Sequence, residues 1–157
     1  MAEPCGEENL LAGRQPVAWF DAFRPELLTD GIAALEGDPE LGSRSAVLAS
    51  ERAFLEYDLG ADRQVTAALL QVGPRARYAV ELSSDRQTWQ PLFALPPSGE
   101  QGLRVRAARG LAGRGRYLRL SATGQREGHA VAEFQVFCRA PVAPPLEAHP
   151  ATLPAPS

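Results

Sequence analysis

Lysine is absent: all sixteen basic residues of this 157-residue chain are Arg, and asparagine and isoleucine occur once each, as Asn9 and Ile32. We read this as the codon bias of a GC-rich, bacterial genome. No apolar run approaches the ~20 residues that a membrane-spanning helix needs. The opening Met1–Asn9 has neither a basic stretch nor an apolar one, so no signal peptide is expected. If the protein is exported, this sequence is that of a mature form or an excised domain. Histidine occurs only as His129 and His149, and no Gly-x-Ser-x-Gly, phosphate-loop or His-Glu-x-x-His pattern is present. Glu36, Asp38 and Glu40 cluster, but nothing sets two carboxylates across a cleft. An enzyme is therefore not expected. Two cysteines 133 positions apart do not fit a metal finger, which needs clustered ligands. The net charge of −3 argues against a general nucleic-acid binder.

What remains is ordinary globular material, 45% hydrophobic and 22% charged, in a length that suits one domain. The charge is uneven. Residues 1–60 carry twelve acidic residues against four Arg, while residues 100–126 carry seven Arg against Glu100 alone. Two readings are open: outward positions of adjacent strands or opposite faces of one domain, and an anion-binding face for acidic glycans or headgroups.

The dominant sequence period between Ala46 and Phe137 is two, the spacing of half-buried strands. Ala53, Leu55, Tyr57 and Leu59 share one face, as do Tyr78, Val80 and Leu82. Val65–Val72 ends in Gly73-Pro74 and reads as strand rather than helix. His129–Phe137 is apolar almost throughout, as expected of a strand at the centre between two sheets. Gly, Pro, Ser and Asp clusters punctuate these runs, which indicates an antiparallel sandwich or barrel. A short helical turn is expected near Pro25–Leu28 or Ile32–Leu35. The last seventeen residues hold six Pro and no apolar period. We therefore expect a domain over 1–139 and a Pro-rich linker or tail over 140–157.

The order of segments resembles discoidin domains, also called coagulation-factor type C or galactose-binding-like domains. Asn9–Val17 is similar to their opening, and Leu28-Thr29-Asp30-Gly31 to the next signature. Phe54–Gly60 resembles the strand ending in Asp-Leu-Gly. Tyr78–Asp85 followed by Trp89 resembles the strand, Ser-x-Asp, Trp segment. Arg116–Leu120 is similar to the Arg-Tyr-x-Arg strand, and Ala132–Phe137 to the closing strand with its Glu. The resemblance implies an all-β fold: an antiparallel jelly-roll β-sandwich of about eight strands, with its ends close together.

It implies more. A terminal disulfide is common in the resembled family, so a Cys5–Cys138 bridge is expected, and with it an oxidising location: periplasm, cell surface or outside. The alternatives are two unpaired thiols, or a lipid anchor on Cys5, although Ala2-Glu3-Pro4 is no lipobox. Calcium-binding relatives use the Asp of the Asp-Gly segment and the Glu of the closing strand, here Asp30 and Glu133, with loop carbonyls near Gly31–Ala34. A structural Ca²⁺ is the cofactor to expect. Ile32 stands where Asn or Asp is usual, and the Thr-x-Trp that commonly follows is absent. The competing reading has Asp30 capping its own turn and Glu133 pairing with an Arg.

A sugar site needs exposed aromatics to stack on a ring's C–H face and polar groups around them. Trp19, Phe20, Asp21, Phe23 and Arg24 supply both in one expected loop, with Arg75 from another loop; Arg63 and Arg114 are further candidates. The competing reading folds Trp19, Phe20 and Phe23 inward as a plug. Trp89 is expected in the core. Lipid binding ranks below sugar, because Asp21, Glu26 and Asp30 would repel anionic headgroups. The expectation is a non-catalytic binding module of an exported or cell-surface bacterial protein. It would recognise a glycan or cell-surface polysaccharide through loops at one end, in a role such as cell adhesion. The alternative is a structural or protein–protein accessory domain beside a neighbouring domain.

Overall fold

The computed structural model describes residues 6–39, 45–99, 101–124, 128–141 and 147–148. Two five-stranded sheets face one another. The first runs β1 (Ala18–Phe20), β5 (Phe54–Val65), β10 (Gly113–Thr123), β7 (Arg77–Ser83), β8 (Gln90–Leu95) across its width. The second runs β2 (Ala22–Phe23), β4 (Ala46–Leu48), β11 (His129–Phe137), β6 (Ala67–Val72), β9 (Arg104–Ala108). All pairings within these two sheets are antiparallel. β4 to β11 are the strands of the expected jelly roll; β1 and β2 extend each sheet by one short edge strand. The one helical turn among the described residues is a 3₁₀ turn over Pro25–Leu27, while Ile32–Ala33 is β3, paired in parallel with β12 (Glu147–Ala148).

Alternation decides which side chains go inside. Leu55, Tyr57 and Leu59 of β5 meet Leu118 and Leu120 of β10 and Tyr78, Val80 and Leu82 of β7 in one buried cluster. The facing sheet contributes Leu70, Val72, Val131, Phe134 and Val136. Tyr57 and Phe134 meet edge to face at 6.3 Å, an arrangement the ring quadrupoles favour. Each such side chain contributes roughly 1.5–3 kcal/mol by leaving water. All nine residues of β11 are buried, and a bulge between Val131 and Glu133 changes which of them face the core. Beyond the end of β4, the side of β11 facing it is completed by backbone hydrogen bonds from Leu10 N to Val136 O and from Phe134 N to Leu28 O. The segment after Leu28 lies over the outer side of this sheet, where Gln71 exchanges two hydrogen bonds with the backbone of Ala34.

Outward charges account for part of the uneven distribution seen in the sequence. The Arg-rich β10 lies beside the acidic β5. Arg119 pairs with Glu56, Arg116 bidentately with Asp58, and Arg114 with Asp62. Glu56 and Asp58 of the acidic block, with Asp62 just beyond it, and Arg114, Arg116 and Arg119 of the basic block are thus outward positions of adjacent strands, while Arg104 and Arg106 lie on β9 of the second sheet. The three arginines of β10 are neutralised by their neighbours and do not form an open anion face.

The Cys5–Cys138 expectation involves Cys5, which lies outside the described residues. Cys138 is buried just after β11, and Arg139 N donates to Gly6 O at 3.0 Å, so the residues that follow each cysteine are neighbours. Of the tail, Ala140, Pro141 and β12 are described; the rest lies outside the described residues.

Candidate functional site

The jelly roll has two ends. At one lie the β1–β2 corner, the β4–β5 and β6–β7 connections, and the starts of β9 and β11. Exposed large hydrophobics among the described residues concentrate at the corner. Trp19 is 58% exposed, Phe20 53%, Phe23 56% and the neighbouring Val17 48%. The inward plug is thereby excluded. The expected loop is two short strands meeting at Asp21.

The corner is pinned on both sides. Val17 N donates to Glu56 O, and Trp19 and Phe20 sit opposite Leu55 and Phe54 of the first sheet. Ala22 and Phe23 sit opposite Leu48 and Val47 of the second, and Asp21 O accepts from Ala49 N at 2.9 Å. Between them the chain switches sheets at Asp21, held at φ 53°, and Arg24, just after β2, holds φ 56°. Left-handed backbone in non-glycine residues costs on the order of 1–3 kcal/mol each and tends to gather at binding sites. The three rings do not form one flat platform. Strand alternation puts Phe20 on the outer face beside Phe54, and Trp19 on the opposite side of β1, at the open seam between the sheets. Phe23 shares the outer side of the second sheet with Val47.

Arg75 lies at the same end but not in the same place. It lines a cleft of about 560 Å³ with Gly37, Pro39, Pro74, Gln101 and Gly102, on the far side of the sandwich. The start of β7 beside it is three strand spacings from β1, or ~14 Å. The structure gathers Trp19, Phe20, Asp21, Phe23 and Arg24 and leaves Arg75 apart.

Trp89 corrects the sequence reading. It is half-buried on the outer face of the first sheet rather than in the core, stacked on the Arg119 guanidinium at 4.2 Å. Arg119 also lies 5.3 Å from the Phe54 ring. The nearly buried Glu56 accepts from Arg119 on one oxygen and from Arg86 on the other. Tryptophan after a turn reads as core from hydrophobicity alone; the signal that this one faces outward was the Arg at an outward position of β10.

Asp30 and Glu133 lie beside one another. Asp30 Oδ1 accepts from Ile32 N at 2.9 Å, so it also caps its own turn. Glu133 is buried on β11 and pairs with no Arg among the described residues. Its Oε2 accepts from Gln135 Nε2 at 2.9 Å, and its Oε1 is buried with no hydrogen bond of good geometry. The Asp30 carboxylate and the Gly31 amide lie beside it. Burial first, then the neighbouring Asp30, pushes the Glu133 carboxyl up to about 8. Two adjacent carboxylates, one buried with an unsatisfied oxygen, have the oxygen chemistry that fits a hard divalent cation. Among the described residues no group of three or more His, Cys, Asp or Glu converges, so the remaining ligands of such an ion would be backbone oxygens or water.

No protein-family model and no curated protein matches the chain. Solved structures do. Chitosan-binding module 1 of a chitosanase/glucanase from Paenibacillus sp. IK-5 superposes with a TM-score of 0.58 at 18% identity, over 83% of this chain and 98% of that one. Chitosan-binding module 2 of the same enzyme, in complex with chitotriose, gives 0.55 at 17% identity, over 82% and 99%. The CBM32 module of AlyQ, in complex with 4,5-unsaturated mannuronic acid, gives 0.52 at 17% identity, over 79% and 96%. At these identities the likeness is one of fold: the chain has the same jelly-roll sandwich as these modules.

Proposed function

We propose that the protein is a non-catalytic carbohydrate-binding module that holds a glycan or cell-surface polysaccharide at the Trp19–Arg24 corner. The observation that carries this reading is the corner itself. Three aromatic side chains stand more than half exposed on backbone anchored to both sheets. Exposing them to water costs hydrophobic burial, and the strained corner costs more; a sugar ring stacked on Trp19 would recover part of both. Asp21 and Arg24 sit within the corner to meet hydroxyls. The neighbours' ligands, chitotriose and an unsaturated mannuronic acid, support a saccharide as the ligand class.

A structural Ca²⁺ held by Asp30 and Glu133, a Cys5–Cys138 bridge and a cell-surface or secreted location complete the proposal. The ion would neutralise the buried Glu133 carboxylate of β11 together with the exposed Asp30 carboxylate beside it.

A glycan array probed with oxidised protein in calcium is the direct test. A reproducible hit lost in Trp19→Ala, with an unchanged melting temperature, is the expected result. A blank array from folded protein, or full binding by Trp19→Ala, would move the reading to an accessory domain without a sugar ligand at this corner.

A further inference from the structure

The opposite end of the sandwich carries a groove that the corner reading leaves unused. It arises from unequal strand lengths. β10 pairs with β7 from Tyr117 to Thr123, but continues back to Gly113 with β5 as its ladder partner. β7 ends at Ser83, and the chain turns through a tightly bonded loop before β8 begins at Gln90. Ser83 Oγ accepts from Asp85 N and Arg86 N, and Asp85 Oδ1 accepts from Gln87 N and Thr88 N. Arg86 holds φ 62° in this loop, with its guanidinium tied to Glu56.

The space left beside β10 is a groove of about 490 Å³, within the range of small-ligand sites. Leu82, Pro91 and Leu92 floor it, and Gln64, Gln90 and Arg114 rim it. Gly113 lets the backbone approach that floor. A Cβ there would collide with Leu92 Cδ1 and stand 2.8 Å from Leu82 Cδ1.

The lining chemistry is specific. Gln64 and Gln90 are exposed, and each amide offers two N–H donors and one carbonyl acceptor. Arg114 is neutralised by Asp62 at 3.2 Å, and Ser84 Oγ donates to the same carboxylate. An aliphatic floor with planar amides and a cancelled charge at the rim suits a neutral pyranose, whose C–H face is apolar and whose edge carries hydroxyls. A carboxylated sugar would have to compete with Asp62 for Arg114.

We propose that this groove is a second saccharide site, for a neutral sugar, at the end of the sandwich away from Trp19. Its ligand class rests on the carbohydrate-binding reading; its location does not rest on the corner.

The test uses ¹⁵N-labelled full-length protein, wild type and Trp19→Ala. It is titrated with cellotriose, β-1,4-mannotriose, β-1,4-galactotriose and triacetylchitotriose while side-chain and backbone amides are followed by NMR. The expected result is saturable shifts of the Gln64 and Gln90 side-chain amides and the Gly113 N–H with at least one sugar, retained in Trp19→Ala. The double variant Gln64→Ala/Gln90→Ala, altered only at exposed positions, should weaken that binding at least tenfold. No shift at these groups with any of the four sugars, or undiminished binding in the double variant, overturns the groove. Shifts confined to residues 17–24 of the wild type would remove the groove and leave the corner standing. Shifts at neither place would remove both.

Discussion

Glu133 is the residue whose chemistry is most out of balance with its surroundings. A carboxyl held near 8 in the folded chain and near 4.5 when unfolded binds its proton more tightly in the native state. It therefore stabilises the fold below about pH 4.5, and that contribution is lost as pH rises towards 8. Within that window the loss approaches ~1.4 kcal/mol per pH unit. Denaturant titrations in chelator at pH 5, 6.5 and 8 should show stability falling with pH, and calcium should restore it at pH 8. Glu133→Gln should flatten the slope, remove the calcium response and leave the chelated protein more stable than wild type at pH 8. A wild type with equal stability at all three pH values in chelator would contradict this account. Asp30 and Glu133 were named as a pair through the resemblance alone. Composition and period carry no signal for their contact, because it joins residues about a hundred positions apart in the chain.

Among elements, the β5–β10 pair carries the outer face of the first sheet. Glu56 is the keystone, accepting from Arg86 and Arg119 while Arg119 lies between Phe54 and Trp89. Removing the carboxylate leaves one guanidinium clamped between rings without its counter-ion. Glu56→Ala should cost about 1–3 kcal/mol in chemical denaturation. In a double-mutant cycle the loss should shrink in an Arg119→Ala background; additive losses would show that the pair is not coupled. The strands themselves were readable: the alternation of Ala53 to Leu59 and of Tyr78 to Leu82 is the period of a half-buried strand. The exceptions have physical reasons. In β1 and β2 both faces meet water at a sheet edge, so Trp19, Phe20 and Phe23 carry no alternation and pass for a loop. The groove beside Gly113 comes from a mismatch in strand length, which no single strand's pattern contains.

For the whole molecule, the hydrogen bond from Arg139 N to Gly6 O brings the two flanks of the domain together. A bridge between Cys5 and Cys138 would close nearly the entire chain into one loop and remove entropy from its unfolded state. A loop of this length is worth roughly 2–5 kcal/mol. Reductant should lower the midpoint of denaturation accordingly, and mass spectrometry of oxidised protein should find no alkylatable thiol. Two thiols labelled under oxidising conditions would remove the bridge. This reading came from the resemblance, since spacing alone names no partner for a cysteine.

The corner has one more consequence. Trp19 rides on one sheet and Phe23 on the other, with a single residue in the left-handed conformation between their strands. The distance between the rings is therefore a ruler laid across the sandwich, and the core sets its length. Trimming Phe134 or Tyr57, deep between the layers and touching no sugar, would let the sheets settle towards each other and change the span offered to the ligand. Affinity for a saccharide long enough to reach both rings would then gauge how far apart the two sheets stand.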